Sequence, residues 1–482
     1  MEEIYELKVN SELSFRWMLF EDYKDEIRTL RHRVFVEEQK LDEYVVDSPF
    51  DETGLHLGLF KGDELISALS MFVFPPSHKH LKGLGINNSK GKMVQFSRRA
   101  ELPKYREKQL SSLMVAFGIK SVFALFEPEG LFASLAGAHR AHKNGYCRVY
   151  DFNKVYDTND GNDDVDVLLI DDPDRLKKLY LAMRNFTIRQ REKHNVRLPD
   201  LAHHIQNHSI LTKETDINFN EVNHYLKPLS LADELPRLSA QSRLLFQMLK
   251  GVWLETAAKN QDIKRILDVG CGPGVYLGLI SKLNEYKSKT LVGVDIDKNL
   301  IDYASFSHQQ PHWLVGSVYQ LPFEDNHFEL VNASFLFIHL LRPYLAIKEI
   351  HRTLTKNGFF IVTDVDDSTF EGPEAIKDMV YKHADLHEGD RRIMLEMNDL
   401  VESAGFKLYQ EHEFKVINIG TEEKPIVEDN TLKMGKWSMW GMFAFMGQRP
   451  EIEDVFDRAE EHYSKYNDDI SICIKTKIYQ KR

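Results

Sequence analysis

Cysteine is scarce: Cys147, Cys271 and Cys473 are the only three in a chain of 482 residues. An odd number at such wide spacing supports neither a disulfide framework nor a zinc site, and a reducing cytoplasm is the simplest home for it. No run of 18 apolar residues occurs, so no membrane-spanning helix is expected. The N-terminus, Met-Glu-Glu-Ile-Tyr-Glu, is acidic and lacks an apolar signal core. Internal repeats and low-complexity tracts are absent. Basic residues are outnumbered, 62 Lys and Arg against 74 Asp and Glu, for a formal charge of −12. That balance disfavours a nucleic-acid partner. No carboxylate pair or metal triad stands out, so no metal is expected. What remains is 43% hydrophobic and 28% charged, with a length that suits two or three α/β domains. Nothing in it sets an oligomeric state.

The most informative stretch is Asp268-Val269-Gly270-Cys271-Gly272-Pro273-Gly274, directly after the apolar run Arg265-Ile266-Leu267. A strand running into three glycines makes a turn tight enough for a ligand to touch backbone. A second strand, Leu291-Val292-Gly293-Val294-Asp295, ends in an acid. A glycine loop after one strand and a carboxylate ending the next is how an open parallel sheet holds an adenosine. The dinucleotide pattern G-x-G-x-x-G is not met, because Val275 stands where the third spaced glycine belongs. The lysine of a phosphate-binding loop is missing too.

The stretch resembles the first motif of the class I S-adenosylmethionine-dependent methyltransferases. Gly293-Val294-Asp295-Ile296-Asp297 is similar to their second motif. Ser317-Val318-Tyr319-Gln320-Leu321-Pro322-Phe323 and Phe328-Glu329-Leu330-Val331 are similar to the third and fourth. Leu354 to Val362 resembles the turn into the fifth strand. The resemblance implies a Rossmann-like seven-stranded domain over 236–482 that binds S-adenosylmethionine. It implies a cofactor site of Asp268, Gly270, Cys271, Gly272, Gly274, Asp295, Ile296, Ser317, Val318 and Asn332, with Asp295 on the ribose. Ser317 replaces an acid common at that position, and Asn357-Gly358 replaces a glycine pair. Substrate groups should follow the carboxyl ends of the strands. His339 and Asp364 are therefore the candidate catalytic residues, His339 as a base near neutrality.

The first 170 residues read as a mixed α/β unit. A helix is expected over 26–38, strands over 55–60, 65–74, 93–100 and 131–135, and a long helix after Pro103. A short helix is expected over 139–143, an exposed acidic loop over 157–166 and a strand over 167–170. Arg31 to Gln39 followed by Asp47, Asp51 and His56, and the strand Gln95-Phe96-Ser97-Arg98-Arg99, resemble GNAT acyltransferases. The likeness is to N-acyl amino acid and acyl-homoserine-lactone synthases in particular. The resemblance implies acyl-donor binding by Arg106, Lys108 and Ser111, from an acyl-CoA or an acyl carrier protein thioester. The chain departs from the pattern where Gln109 replaces a glycine and Glu107 adds a negative charge. Ala141, with His142 beside it, also stands where many members have a tyrosine acid. A binding-only domain therefore remains an alternative.

A helix over 173–194 and polar segments to about 231 read as a connector, 171–235. A helix over 239–259 should cover the cofactor. The aromatic and methionine-rich segment 434–446 is either a buried helix or a pliable wall over an apolar substrate. A helix over 451–466 and a strand over 470–478 complete the reading. The expected protein is a two-domain transferase. It methylates a small, partly apolar acceptor and acylates the same or a related molecule. The alternatives are a methyltransferase with an inactive binding domain, and an enzyme modifying other proteins.

Overall fold

The computed structural model describes residues 5–7, 13–76, 78–87, 89–108, 110–136, 143–160, 163–194, 198, 201, 204, 231–253, 255–256, 262–418, 426–428, 430–443, 446–447, 449–466 and 469–482. The chain divides into two units, Met1–Asn218 and Phe219–Arg482.

The first unit is built on a sheet of eight described strands: β1 Tyr5–Leu7, β2 Leu13–Met18, β3 Leu55–Lys61, β4 Glu64–Phe74, β5 Met93–Glu101, β6 Gly130–Ala136, β7 Lys154–Asp160 and β8 Asp163–Ile170. Their spatial order is β1-β2-β3-β4-β5-β6-β8-β7. Neighbours are antiparallel except β5 and β6, which pair in parallel over only Met93–Gln95 against Gly130–Phe132. Beyond that register β5 follows β4 and β6 follows β8, so the two strands diverge. The largely apolar helix Leu110–Phe126 packs on the sheet: Trp17 and Phe117 have ring centroids 5.8 Å apart, and a Cβ on Gly118 would meet Met71 at 3.1 Å. The helix Pro173–His194, read from sequence as connector, belongs to this unit and stacks Tyr180 on Phe123 at 6.3 Å.

Two expectations are corrected here. In the acidic stretch expected as a loop, residues 157–160 end β7 and 163–166 begin β8, paired antiparallel in register from Lys154↔Leu169 to Asp160↔Asp163. As the edge strand, β7 needs one neighbour only, and acidic residues are compatible with an edge. The first helix runs over Phe20–Arg31 and passes into a wider π-helical turn at His32–Glu38. The expected short helix at 139–143 is found as Lys143–Tyr150, while 137–142, with Ala141 and His142, lie outside the described residues.

The second unit holds β9 Arg265–Val269, β10 Thr290–Asp295, β11 His312–Val315, β12 Phe328–Ser334, β13 Leu354–Glu371, β14 Phe406–Asn418, β15 Ile426–Glu428, β16 Thr431–Met434 and β17 Ser471–Lys481. The order is β11-β10-β9-β12-β13-β17-β14-β16-β15. Strands β9 to β13 are parallel, and β17 inserts antiparallel between β13 and β14. The strand order reverses between β9 and β12, which lie side by side in parallel with connections leaving in opposite senses. A ligand crevice belongs at the carboxyl ends there.

The expected seven strands are nine among the described residues. The extra pair, β15 and β16, extends the β14 edge across a turn holding Asn430 at φ 60°. This also corrects the reading of 434–446 as one helix: Met434 ends β16, and the helix is only Lys436–Gly441. The helix expected at 239–259 is Leu231–Trp253.

The first unit is pinned by a buried charge. Arg31 donates to both Asp51 carboxylate oxygens (2.7 and 2.9 Å), to Ser70 Oγ and to the Val46 carbonyl. His56 bridges the same Ser70 Oγ and the Asp51 carbonyl, each at 2.8 Å. Breaking a buried pair strands the remaining charge, at a cost of about 3–5 kcal/mol. Asp51→Ala is therefore expected to lower the stability of this unit by that amount. Hydrogen exchange at β3 and β4 amides of the full chain measures it, and unchanged protection contradicts the assignment.

Candidate active site

The glycine loop sits where β9 leaves the sheet. Gly270, Gly272 and Gly274 hold φ of 68°, 54° and 71°, a region costly for other residues. The amides of Gly270 and Cys271 donate to the Val294 carbonyl at 2.8 and 3.1 Å, tying the loop to β10. The Gly272 amide donates to Asp295 Oδ2 (2.8 Å), and the Asp297 amide to Oδ1 (2.9 Å). Asp297 then caps the next helix, Lys298–Ser307, by accepting from the Asn299 and Leu300 amides. Burial raises the pKa of Asp295, and these amide bonds oppose the rise. Nothing lies within 4 Å of a Cβ built on Gly272, so its outer face is open.

A cavity opens at the carboxyl ends of β9, β10 and β12. Of the residues expected at the cofactor, Asp268, Gly270, Cys271 and Gly272 line it, as do Asp295, Ile296 and Val318. Three others act one step back. Gly274 lets Trp313 and Ala304 close in, since a Cβ there would meet their atoms at 2.5 and 2.7 Å. Asn332 is buried under the loop and donates from Nδ2 to Asp268 Oδ1 at 2.7 Å. Ser317 accepts from the Tyr319 amide at 3.1 Å and shapes the turn before β12. Burial first, then the Asp295 charge, pushes Asp268 up to about 7, against the Asn332 bond.

The two catalytic candidates part company. His339 lines the cavity. Asp364 does not. It is wholly buried, and its Oδ2 accepts from the Phe337 amide at 3.0 Å, capping the turn that presents His339. Burial pushes Asp364 well above the carboxylate range. His339 is pushed down to about 3, by burial first and then by Arg391, Arg237 and Arg449. His387, its ring 5.0 Å from that of His339, bonds through Nε2 to the Ile338 carbonyl at 3.0 Å.

Sequence reasoning missed Arg237 and Arg391, which line the same cavity. Arg237 comes from the helix Leu231–Trp253 and donates to Gln241 Oε1 at 2.9 Å. Arg391 lies in the connection between two helices and grips Asp367 of β13 through Nε (2.5 Å) and Nη2 (3.0 Å). No motif marks either one. The methionine-rich segment does reach the site: Met439, Met442, Phe443 and Met446 form part of its wall.

In the first unit the quoted motifs converge on another cavity, of about 880 Å³, where β5 and β6 diverge. Arg98 donates to the Val45 and Asp47 carbonyls, and Gln95 to Ser134 Oγ across the gap. Arg106 does not line it. Its guanidinium is held by both Glu38 oxygens, at 2.6 and 2.8 Å, and by the Glu101 carbonyl. The side chains of Lys108 and Ser111 lie outside the described residues, as does Gln109. Among the described residues no group of three or more His, Cys, Asp or Glu could hold a metal, and no helix is long and apolar enough to cross a membrane.

Residues 267–362 match the family described as "Methyltransferase domain". An uncharacterized methyltransferase of Schizosaccharomyces pombe is 32% identical over 114 residues, 21% of this chain and 40% of the relative. A fatty-acid O-methyltransferase of Mycolicibacterium smegmatis is 29% identical over 28% of this chain and 47% of its own length. Among solved structures, the YcgJ protein of Bacillus aligns over 48% of this chain and 97% of its own, at 16% identity and a TM-score of 0.34. The chain spans about half the length of the curated relatives it matches. The C-terminal half thus contains a class I S-adenosylmethionine-dependent methyltransferase domain.

His339 carries a pH consequence. Its folded pKa, about 3, lies below the unfolded value near 6.5, so between those limits the unfolded chain binds more protons. Its contribution to stability is full above about pH 6.5 and is lost on acidification. His339→Leu removes that dependence. The variant is expected to gain about 1–2 kcal/mol on the wild type between pH 7 and pH 5. Denaturation midpoints at the two pH values measure this, and a constant difference contradicts it.

Proposed function

We propose that this chain is a transferase whose second unit methylates a small, partly apolar molecule from S-adenosylmethionine. The observation that carries the reading is one cavity bounded by the open glycine loop, the Asp295 carboxylate and a wall of Met439, Met442, Phe443 and Met446. The cofactor supplies an electrophilic sulfonium methyl. Asp295 retains lone pairs for the ribose hydroxyls beyond those accepting from Gly272 and Asp297. Gly272 lets the nucleoside approach the backbone. Asp268 offers a carboxylate to a cationic methionine end. The apolar wall strips water from the acceptor and holds it in line.

This assignment revises the roles of the two candidate catalytic residues. A base works best with a pKa near the working pH, so His339 at about 3 is a poor proton acceptor. We assign it to orient the acceptor as a neutral imidazole. Asp364 is a positioning residue for the turn that carries His339.

For the first unit we propose acyl transfer to the same or a related small molecule. The support is the cavity at the β5–β6 divergence, whose 880 Å³ falls within the range of small-molecule sites. Motifs resembling the N-acyl amino acid synthases run along its rim. The ion pair of Arg106 with Glu38 removes one expected phosphate ligand, which favours an acyl carrier protein thioester over acyl-CoA as donor. The other reading, a unit that only binds its ligand, predicts no thioester consumption.

Isothermal titration with S-adenosylmethionine tests the central claim. Wild type is expected to bind, and Asp295→Ala to bind at least ~10-fold more weakly, as the loss of a charge-assisted hydrogen bond implies. Equal affinity of the two proteins rejects the site.

A further inference from the structure

Three buried aromatic side chains cluster next to the glycine loop: Trp253 at the end of the helix Leu231–Trp253, Tyr276 in the helix Val275–Ile280 that follows the loop, and Tyr286. The Trp253 ring lies 5.5 Å from that of Tyr276, nearly edge-on, and 6.2 Å from that of Tyr286. Among the described residues, Trp253 Nε1 and the hydroxyls of Tyr276 and Tyr286 are buried with no hydrogen-bond partner. Folded chains rarely leave buried polar groups so. Of the three side chains, only Tyr276 lines the cavity of the second unit, and it is 4% exposed. Asp268 lines the same cavity, with its Oδ1 accepting from Asn332. The two are close enough for the acid to act on the phenol. Burial first, then the charge of Asp268, then Tyr286, push Tyr276 well above its ordinary value, so the hydroxyl keeps its proton and remains a donor. One corner of the cavity thus holds an acid and an unsatisfied donor.

We propose, resting on the methyltransferase reading above, that the Tyr276 hydroxyl donates to the carboxylate at the amino-acid end of S-adenosylmethionine while Asp268 takes the ammonium beside it. Tyr276 is then a specificity-determining residue for the intact cofactor. An amino-acid end carries an ammonium and a carboxylate on one carbon, so its receptor needs an acceptor and a donor in one corner. Asp268 and Tyr276 supply that pair. A carboxylate taken out of water needs a donor, and a hydroxyl bonded to it makes a charge-assisted bond, roughly twice as strong as a neutral one. Trp253 and Tyr286 do not line the cavity, so their polar atoms are not placed for this task. Trp253 instead holds the Tyr276 ring by edge-on packing. The competing account is a buried water that joins the three polar atoms and serves the core alone. It makes Tyr276 blind to the carboxylate of the ligand, and that difference can be measured.

The test is titration calorimetry of the full chain with two ligands, S-adenosylmethionine and its decarboxylated form, which keeps the sulfonium and the ammonium but lacks the carboxylate. Wild type is expected to bind the intact cofactor at least ~10-fold more tightly than the decarboxylated one. Tyr276→Phe keeps the ring against Trp253. It is expected to weaken S-adenosylmethionine at least ~10-fold and to leave the decarboxylated form unchanged. Tyr286→Phe removes the neighbouring unsatisfied hydroxyl outside the cavity and is expected to change neither affinity. The assignment is overturned if wild type binds the two ligands equally, or if Tyr276→Phe binds S-adenosylmethionine as wild type does. An equal loss for both ligands in Tyr276→Phe, or the same loss in Tyr286→Phe, marks a structural role and overturns it too. In each of these cases, S-adenosylmethionine binding by wild type leaves the methyltransferase reading standing. Failure of wild type to bind S-adenosylmethionine overturns that reading and the role of Tyr276 with it.

Discussion

Two hydrogen bonds from backbone amides to one carboxylate organise the second unit. Asp295 accepts from Gly272 at one oxygen and from Asp297 at the other. The first bond fixes the glycine loop against the end of β10. The second sets Asp297 to cap the helix that follows. Strand end, loop and helix start are thereby locked to a single side chain. The loop must stay at positive φ to keep its amide pointed at that acid, which is why glycine occupies Gly272 although space for a Cβ is open. Burial of the carboxylate costs solvation, and the fixed amides replace the water it loses.

The site built on this lock separates charge along its length. Asp268 and Asp295 line it at the glycine loop, and Arg237 and Arg391 line it beside His339. His339 lies beside Arg237 and Arg391, where burial and their charge keep its imidazole neutral. Asp364 serves it from behind by holding the turn at Phe337. The same division of labour holds at Asp268, which faces the cavity while Asn332 supports it from the neighbouring strand β12.

Much of this was legible in the sequence where function is carried by backbone. Three glycines after an apolar run and an acid ending the next strand located the loop, Asp295 and the sheet direction, because those demands fall on residue type at fixed spacing. The arginines were not legible. Arg237 reaches the cavity from a helix whose inward face depends on packing, and Arg391 arrives from a connection more than 100 residues after the glycine loop. Ser317, expected in the cofactor site, does not line the cavity, and its small hydroxyl bonds local backbone at the Tyr319 amide. In the first unit, Arg31, Asp51 and His56 were quoted as motif members, yet their union in one buried network is a tertiary fact. The acidic stretch 157–166 differed for another reason: its composition resembled a loop, while residues 157–160 and 163–166 pair with each other as the ends of β7 and β8.

One feature of the loop's surroundings reaches into how this sequence is free to vary. The ring of Trp313 fills the space beside both Gly274 and Gly293, so a Cβ at Gly293 would meet it at 2.4 Å. Gly293 sits in an ordinary strand conformation and is held to glycine chiefly by that ring, with Cys271 Sγ at 3.0 Å beside it. The three positions therefore form one epistatic unit. A methyl group becomes tolerable at 293 only after the indole has been exchanged for something smaller, and a smaller residue at 313 leaves a void until a neighbour grows.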